Sequence, residues 1–202
     1  GPERLVTDLR AAASAVRAAE PGVPLIVVGH SMGGGVALAA AGEGLDADAL
    51  VLAAPAIAGG TQVDPVRRLG GLGIALLTPD RRYTGDGLVK LYPTDNVERL
   101  REVARGPLHY ADPSGRELYG LLRLMDAAAA AAPQVTLPTL TLMGAKDDYL
   151  RPRAVRAVHD TIPGAVGWRL YPEGWHWLFR DLQAERVWDD VARFALSLPR
   201  PG

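Results

Sequence analysis

The chain has 202 residues, 48% of them hydrophobic and 22% charged, with a formal net charge of −1, the balance of a globular protein with one core and room for an attached lobe. Lysines and arginines are scattered rather than gathered in a stripe, so nucleic acid is not an expected partner. Cysteine is absent, which excludes disulfides and thiolate sites.

The opening "GPERLVTDLRAAASAVRAAEPG" repeats Leu5, Leu9, Ala12, Ala13 and Val16 at helical spacing until Pro21-Gly22 stops the pattern. It predicts an amphipathic helix rather than a signal peptide, and with it a cytoplasmic protein. "LIVV" (25–28) is a continuous apolar run ending in β-branched residues, as expected of a strand covered on both faces in a parallel sheet. "MGGGVALAAAG" then supplies helix formers up to Gly42, and "ALVLAAP" (49–55) is a second buried strand. About 80 residues follow before the next strand, with Gly59-Gly60, "GGLG" at 70–73 and helical patterns near 65–77, 96–105 and 114–132. They predict an inserted helical lobe, 58–133, between core segments 1–57 and 134–202. Ser114 after Asp112-Pro113 marks a helix start, and the Ala127–Ala132 run is good helix sequence with no chemistry implied. "TLTLMG" (139–144) and "GWRLYP" (167–172) complete the strands, separated by a helix at about 152–160 and followed by one at about 184–197. Alternating strands and helices predict an α/β fold with a mostly parallel sheet. No apolar stretch approaches the roughly 20 residues of a membrane span.

Gly29-x-Ser31-x-Gly33 stands directly after a buried strand and before a helix, the context of a nucleophile elbow. The serine of such an elbow sits in a strained turn, so a Cβ on either flanking glycine is expected to collide with strand or helix. Ser31 would project from the carboxyl end of the sheet, with the Met32 backbone N–H and the helix N-terminus facing a developing oxyanion. A plain serine cap on a glycine-rich helix start fits the same residues.

A serine hydroxyl needs a positioned base, itself held by an acid. Asp147 and Asp148 follow the third strand and His176 follows the fourth, in the chain order Ser, Asp, His. The alternatives are that either aspartate merely caps the helix near Pro152, and that the histidine flanked by tryptophans is a packed core residue. His30 lies in the elbow itself, where it lines the site without reaching the Ser31 proton. His109 and His159 fit surface or capping roles, and the four histidines are too dispersed for a metal motif.

Together "PLIVVGHSMGG", "LVLAAPAI", "LPTLTLMGAKDDYLRP" and "YPEGWHWLFRD" resemble the α/β-hydrolase superfamily. More narrowly they resemble its bacterial lysophospholipase and monoacylglycerol lipase-like branch, which groups with serine aminopeptidase-like hydrolases. The likeness runs from about residue 3 to the end and is diffuse only in the lobe. It implies Ser31 as nucleophile, Asp147 as acid, from the G-x-x-D turn Gly144-Ala145-Lys146-Asp147, and His176 as base ahead of a hydrophobic pair and Arg-Asp. It implies no cofactor, and a lobe acting as cap over an acyl-chain pocket, with transient contact to a membrane surface. Leu72, Ile74, Leu76, Leu121, Leu124 and Met125 are lining candidates, although core packing explains any one of them equally well.

The implied activity is hydrolysis of a lipid-like carboxylic ester through an acyl-enzyme at Ser31. An aminopeptidase-like amidase, a thioesterase or an acyltransferase would carry the same triad, and a non-catalytic α/β module would keep the elbow for structural reasons. A haloalkane dehalogenase would carry Asp at the Ser31 position. The family places strands and a His-Gly oxyanion loop ahead of the first helix, and the sequence holds neither. The expectation is therefore an N-terminally incomplete hydrolase whose sheet has about four strands, with "LIVV" unpaired at one edge.

Overall fold

Pro2 sits in the first turn of α1 (Pro2–Ala19), where a missing N–H costs nothing. The chain then crosses into β1 (Ile26–His30), α2 (Met32–Gly42) and β2 (Ala49–Ala53). In this computed structural model, which describes residues 1–60, 65–83, 91–106 and 112–199, the middle of the chain forms α3 (Pro65–Leu77), α4 (Val97–Arg105) and α5 (Gly115–Ala131). The core resumes with β3 (Thr139–Gly144), α6 (Pro152–His159), β4 (Ala165–Tyr171) and α7 (Ala184–Ser197). His109 lies outside the described residues.

All strand pairs are parallel, and the order β1-β2-β3-β4 follows the chain. Every residue of β2 and β3 is buried, as continuous apolar strands in the middle of a parallel sheet must be. β1 is not covered on both faces, and among the described residues it takes the edge position expected for "LIVV" in a sheet of four strands. It pairs with β2 alone among the described residues, and Val28 is 50% exposed. The edge position accounts for this, because fewer neighbours flank an edge strand.

Helix α2 packs on β1 and β2 and is sandwiched by α1 and α5. The alanine run of α5 does more than favour helix. Ala128 and Ala132 are fully buried, and a Cβ on Gly42 of α2 would lie 2.7 Å from the Ala131 Cβ. Leu124 of the same helix meets Gly35 of α2. Small residues on both helices allow this close approach. The first turn of α5 is closed by a capping box, in which the Ser114 hydroxyl accepts from the Glu117 N–H and the Glu117 carboxylate from the Ser114 N–H. We propose the division at 58–133 with α5 as the shared element: α3 packs on it from the lobe side, tied by the Arg68–Asp126 ion pair at 2.5 Å, and α2 from the core side.

His159 is not a surface or capping residue. It is 5% exposed on the inner face of α6, with Nδ1 2.9 Å from the Thr141 hydroxyl and the ring 5.3 Å from that of Trp168. Burial lowers its pKa and keeps it neutral. Val155 and His159 are four residues apart on the helix, so the face that buries one buries the other.

Candidate active site

Ser31 links β1 to α2 with φ 53° and ψ −119°, a conformation rarely open to a residue with a side chain. Backbone hydrogen bonds hold it there. Its N–H donates to the Ala53 carbonyl at 3.0 Å, and its own carbonyl accepts from Gly34 and Ala56 at 3.0 and 2.8 Å. The steric demand for glycine falls differently from the sequence expectation. A Cβ on Gly29 would meet the Gly33 carbonyl at 2.6 Å, but one on Gly33 would meet nothing within 4 Å, because Gly33 faces outward. The crowded partners are Gly34, 2.6 Å from the Pro55 Cβ, and Gly35, 2.7 Å from the Ala56 carbonyl. Gly34→Ala is therefore expected to lower stability by about 1–3 kcal/mol, through overpacking. That is a fall of several degrees in Tm. Gly33→Ala should leave Tm within about a degree, and thermal melts of both variants check the contrast.

The loops after β3 and β4 bring two side chains to the serine. His176 Nε2 lies 2.9 Å from Ser31 Oγ, and His176 Nδ1 lies 2.8 Å from Asp147 Oδ2. The Asp147 side chain is 0% exposed and that of His176 6%. The other carboxylate oxygen of Asp147 accepts from the Tyr149 and Leu150 N–H groups, both at 2.8 Å, which fixes the carboxylate plane. Asp148 points away and is exposed, with Oδ2 3.3 Å from the Tyr92 N–H. Neither aspartate caps α6, whose N-cap residue Arg151 makes no side-chain cap bond.

His30 lines the site as expected and also ties it together. Its Nε2 lies 2.8 Å from the His176 carbonyl, to which it donates, and the two rings are 5.1 Å apart. Burial pushes the His30 pKa down, so the ring is neutral and still able to donate. Two neighbours of His176 were not singled out in the sequence. Tyr149 stacks on the His176 ring with centroids 4.6 Å apart. Asp181, 3% exposed, accepts from the Trp175 N–H at 2.8 Å. The only signals for them were an aromatic residue soon after Asp147 and the Arg-Asp pair soon after His176.

Met32 opens α2, so its N–H is among the first-turn donors that lack an i−4 partner and point past the helix N-terminus, beside Ser31. Its side chain is 49% exposed and helps line a groove of about 500 Å³ together with Leu5, Tyr119, Leu121 and Leu124. Two of the six lobe candidates, Leu121 and Leu124, thus border the groove beside Met32. Leu72, Ile74 and Met125 do not line this groove, and Leu76 is 72% exposed on α3.

A parallel sheet with a strained serine at the tip of one strand, and an Asp-His pair converging on it from later strand ends, defines an α/β-hydrolase fold. The sequence agrees: residues 1–183 match the family described as serine aminopeptidase, S33, and the chain belongs to that family. It is 31% identical over 205 residues to a monoacylglycerol lipase of Mycolicibacterium smegmatis, across 95% of this chain and 69% of that protein. Among solved structures it is similar to the monoacylglycerol lipase of Paleococcus ferrophilus, with a TM-score of 0.76, 18% identity, and 95% of this chain and 75% of that one covered. It is also similar to a soluble variant of monoglyceride lipase from Saccharomyces cerevisiae, crystallised with a substrate analogue, with a TM-score of 0.73 and 20% identity over 96% of this chain and 67% of that one.

Proposed function

We propose that the chain is a serine hydrolase of lipid-like carboxylic esters, acting through an acyl-enzyme at Ser31. The observation that carries this is the continuous relay from Asp147 through His176 to the Ser31 hydroxyl. In the proposed cycle, His176 Nε2 takes the Ser31 proton as the oxygen attacks the ester carbonyl, and Asp147 faces the imidazolium that forms. The Met32 N–H donates to the oxyanion. Collapse of the intermediate breaks the ester bond, His176 protonates the departing alcohol, and water repeats the sequence to release the acid.

The Mycolicibacterium relative supports an acylglycerol-like substrate, and so does the apolar groove beside Met32. Leu69, Leu76 and Leu77, 70%, 72% and 84% exposed along α3, are the surface we assign to transient contact with a lipid layer. Each methylene buried in such a site contributes about 0.8 kcal/mol. A panel of nitrophenyl esters should accordingly show kcat/KM rising several-fold from acetate to butyrate and beyond. The family description favours one rival, an aminopeptidase-like amidase. Acetate as the best ester, or proline amides cleaved faster than every ester, would replace the proposal with that rival.

A further inference from the structure

The base sits in irregular chain, since residues 174–183 form neither helix nor strand, and yet Nε2 must stay within hydrogen-bond reach of Ser31. The backbone around His176 is pinned one residue at a time. The Trp175 N–H donates to Asp181, the His176 carbonyl accepts from His30, and the Trp177 N–H donates to the Pro93 carbonyl at 2.7 Å. The first two pins belong to the core. The third comes from the segment 92–96, between β2 and β3 in the chain and just ahead of α4.

That segment makes further bonds to the same loop. Asp95 Oδ1 accepts from the Leu182 N–H at 2.9 Å, and Asn96 Nδ2 donates to the Arg180 carbonyl at 3.0 Å. Thr94, 3% exposed, lies against the Asp181 carboxylate. On the acid side, the Tyr92 N–H reaches Asp148, and the Tyr92 ring meets Trp175 edge-on at 6.3 Å. Helix α4, which follows, has no buried residue, so packing of α4 does not anchor the segment. Within residues 92–96, the Pro93 carbonyl, the Asp95 carboxylate and the Asn96 amide nitrogen meet the loop that carries His176, and the Tyr92 N–H meets the loop that carries Asp147.

We propose that residues 92–96 act as a positioning strap, in which Asp95 and Asn96 hold the His176 loop in register with Ser31 and so make turnover depend on the lobe from which the strap comes. The inference rests on the serine-histidine reading above. None of these residues touches the reacting atoms. Their effect is on the placement of His176, and a shift of about 1 Å in such a group can cost on the order of a hundredfold in rate.

The test uses variants that separate the strap bonds from the fold. Asn96→Asp retains the acceptor that caps α4, where Oδ1 accepts from the Arg99 N–H, and loses the donor to Arg180. Asp95→Ala loses the acceptor for Leu182, whereas Asp95→Asn keeps an oxygen there. The combined Asp95→Ala, Asn96→Asp variant is expected to lose roughly tenfold or more in kcat on a nitrophenyl butyrate. KM should stay within about twofold, and labelling by a fluorophosphonate should slow in parallel. Asp95→Asn alone should return to within about twofold of the parent. Parent rates of turnover and labelling in the combined variant would overturn the strap, as would a loss that Asp95→Asn shares. A His176→Ala control that labels as fast as the parent would overturn the serine-histidine reading beneath it, and is distinguishable because the strap variants are scored against that control.

Discussion

Ser31→Ala is expected to abolish ester hydrolysis while leaving the fold in place. The alanine keeps every backbone bond of the elbow, since the Ser31 N–H and carbonyl make them, and it inherits the same φ of 53° that serine already tolerates. What it loses is the hydroxyl oxygen 2.9 Å from His176 Nε2. Removing the nucleophile of a serine hydrolase costs on the order of 10⁶ in kcat, and a small residual rate over water survives from oxyanion stabilisation and binding. Steady-state turnover of a nitrophenyl butyrate, read beside a thermal melt, checks both halves. A variant with an unchanged Tm and more than a few per cent of parental kcat would remove Ser31 from the reaction, and failure of the parent to label with a fluorophosphonate would do the same.

The parts of this molecule that were legible in its sequence share a physical cause. "ALVLA" and "TLTLMG" are buried on both faces, so their continuous apolar runs could mean little else once flanking turns bounded them. The convergence of Ser31, Asp147 and His176 was legible because they follow β1, β3 and β4, and parallel strands deliver their carboxyl ends to one edge of the sheet. The helix start at Ser114 was legible because capping is local chemistry.

What escaped the sequence was set by neighbours distant in the chain. The roles of Gly33 and Gly34 look alike on paper, and only the position of Pro55 distinguishes them. His159 reads as a polar residue on a short helix, yet Thr141 and Trp168, from two different strands, make a buried place for it. The alanines of α5 read as helix propensity, while their small size is what lets α2 approach. The bonds from residues 93–96 to the His176 loop join residues more than 80 positions apart, and on the loop they end on backbone atoms that carry no residue-specific signal.

Adjacent aspartates allow the sharpest test of the acid. Asp147→Asn should cost about 10⁴ in kcat, the scale seen when the corresponding acid of a serine protease is replaced by its amide. The cause can be traced atom by atom. One oxygen of Asp147 is committed to the Tyr149 and Leu150 N–H groups, so the amide of the variant keeps its oxygen there and turns its NH₂ toward His176 Nδ1. Two donors cannot share that bond. The imidazole must then carry its proton on Nε2, facing Ser31, where it can no longer accept the hydroxyl proton, and the charge opposite the imidazolium is lost as well. Asp148→Asn changes an exposed carboxylate whose bond to the Tyr92 N–H, at 3.3 Å, an amide oxygen can replace. Its kcat should stay within about threefold of the parent, since exposed charges contribute little. Parallel kcat measurements on the two variants decide the matter: a large loss in Asp148→Asn with near-parental turnover in Asp147→Asn would move the acid to the neighbouring residue and require the loop to turn over before catalysis.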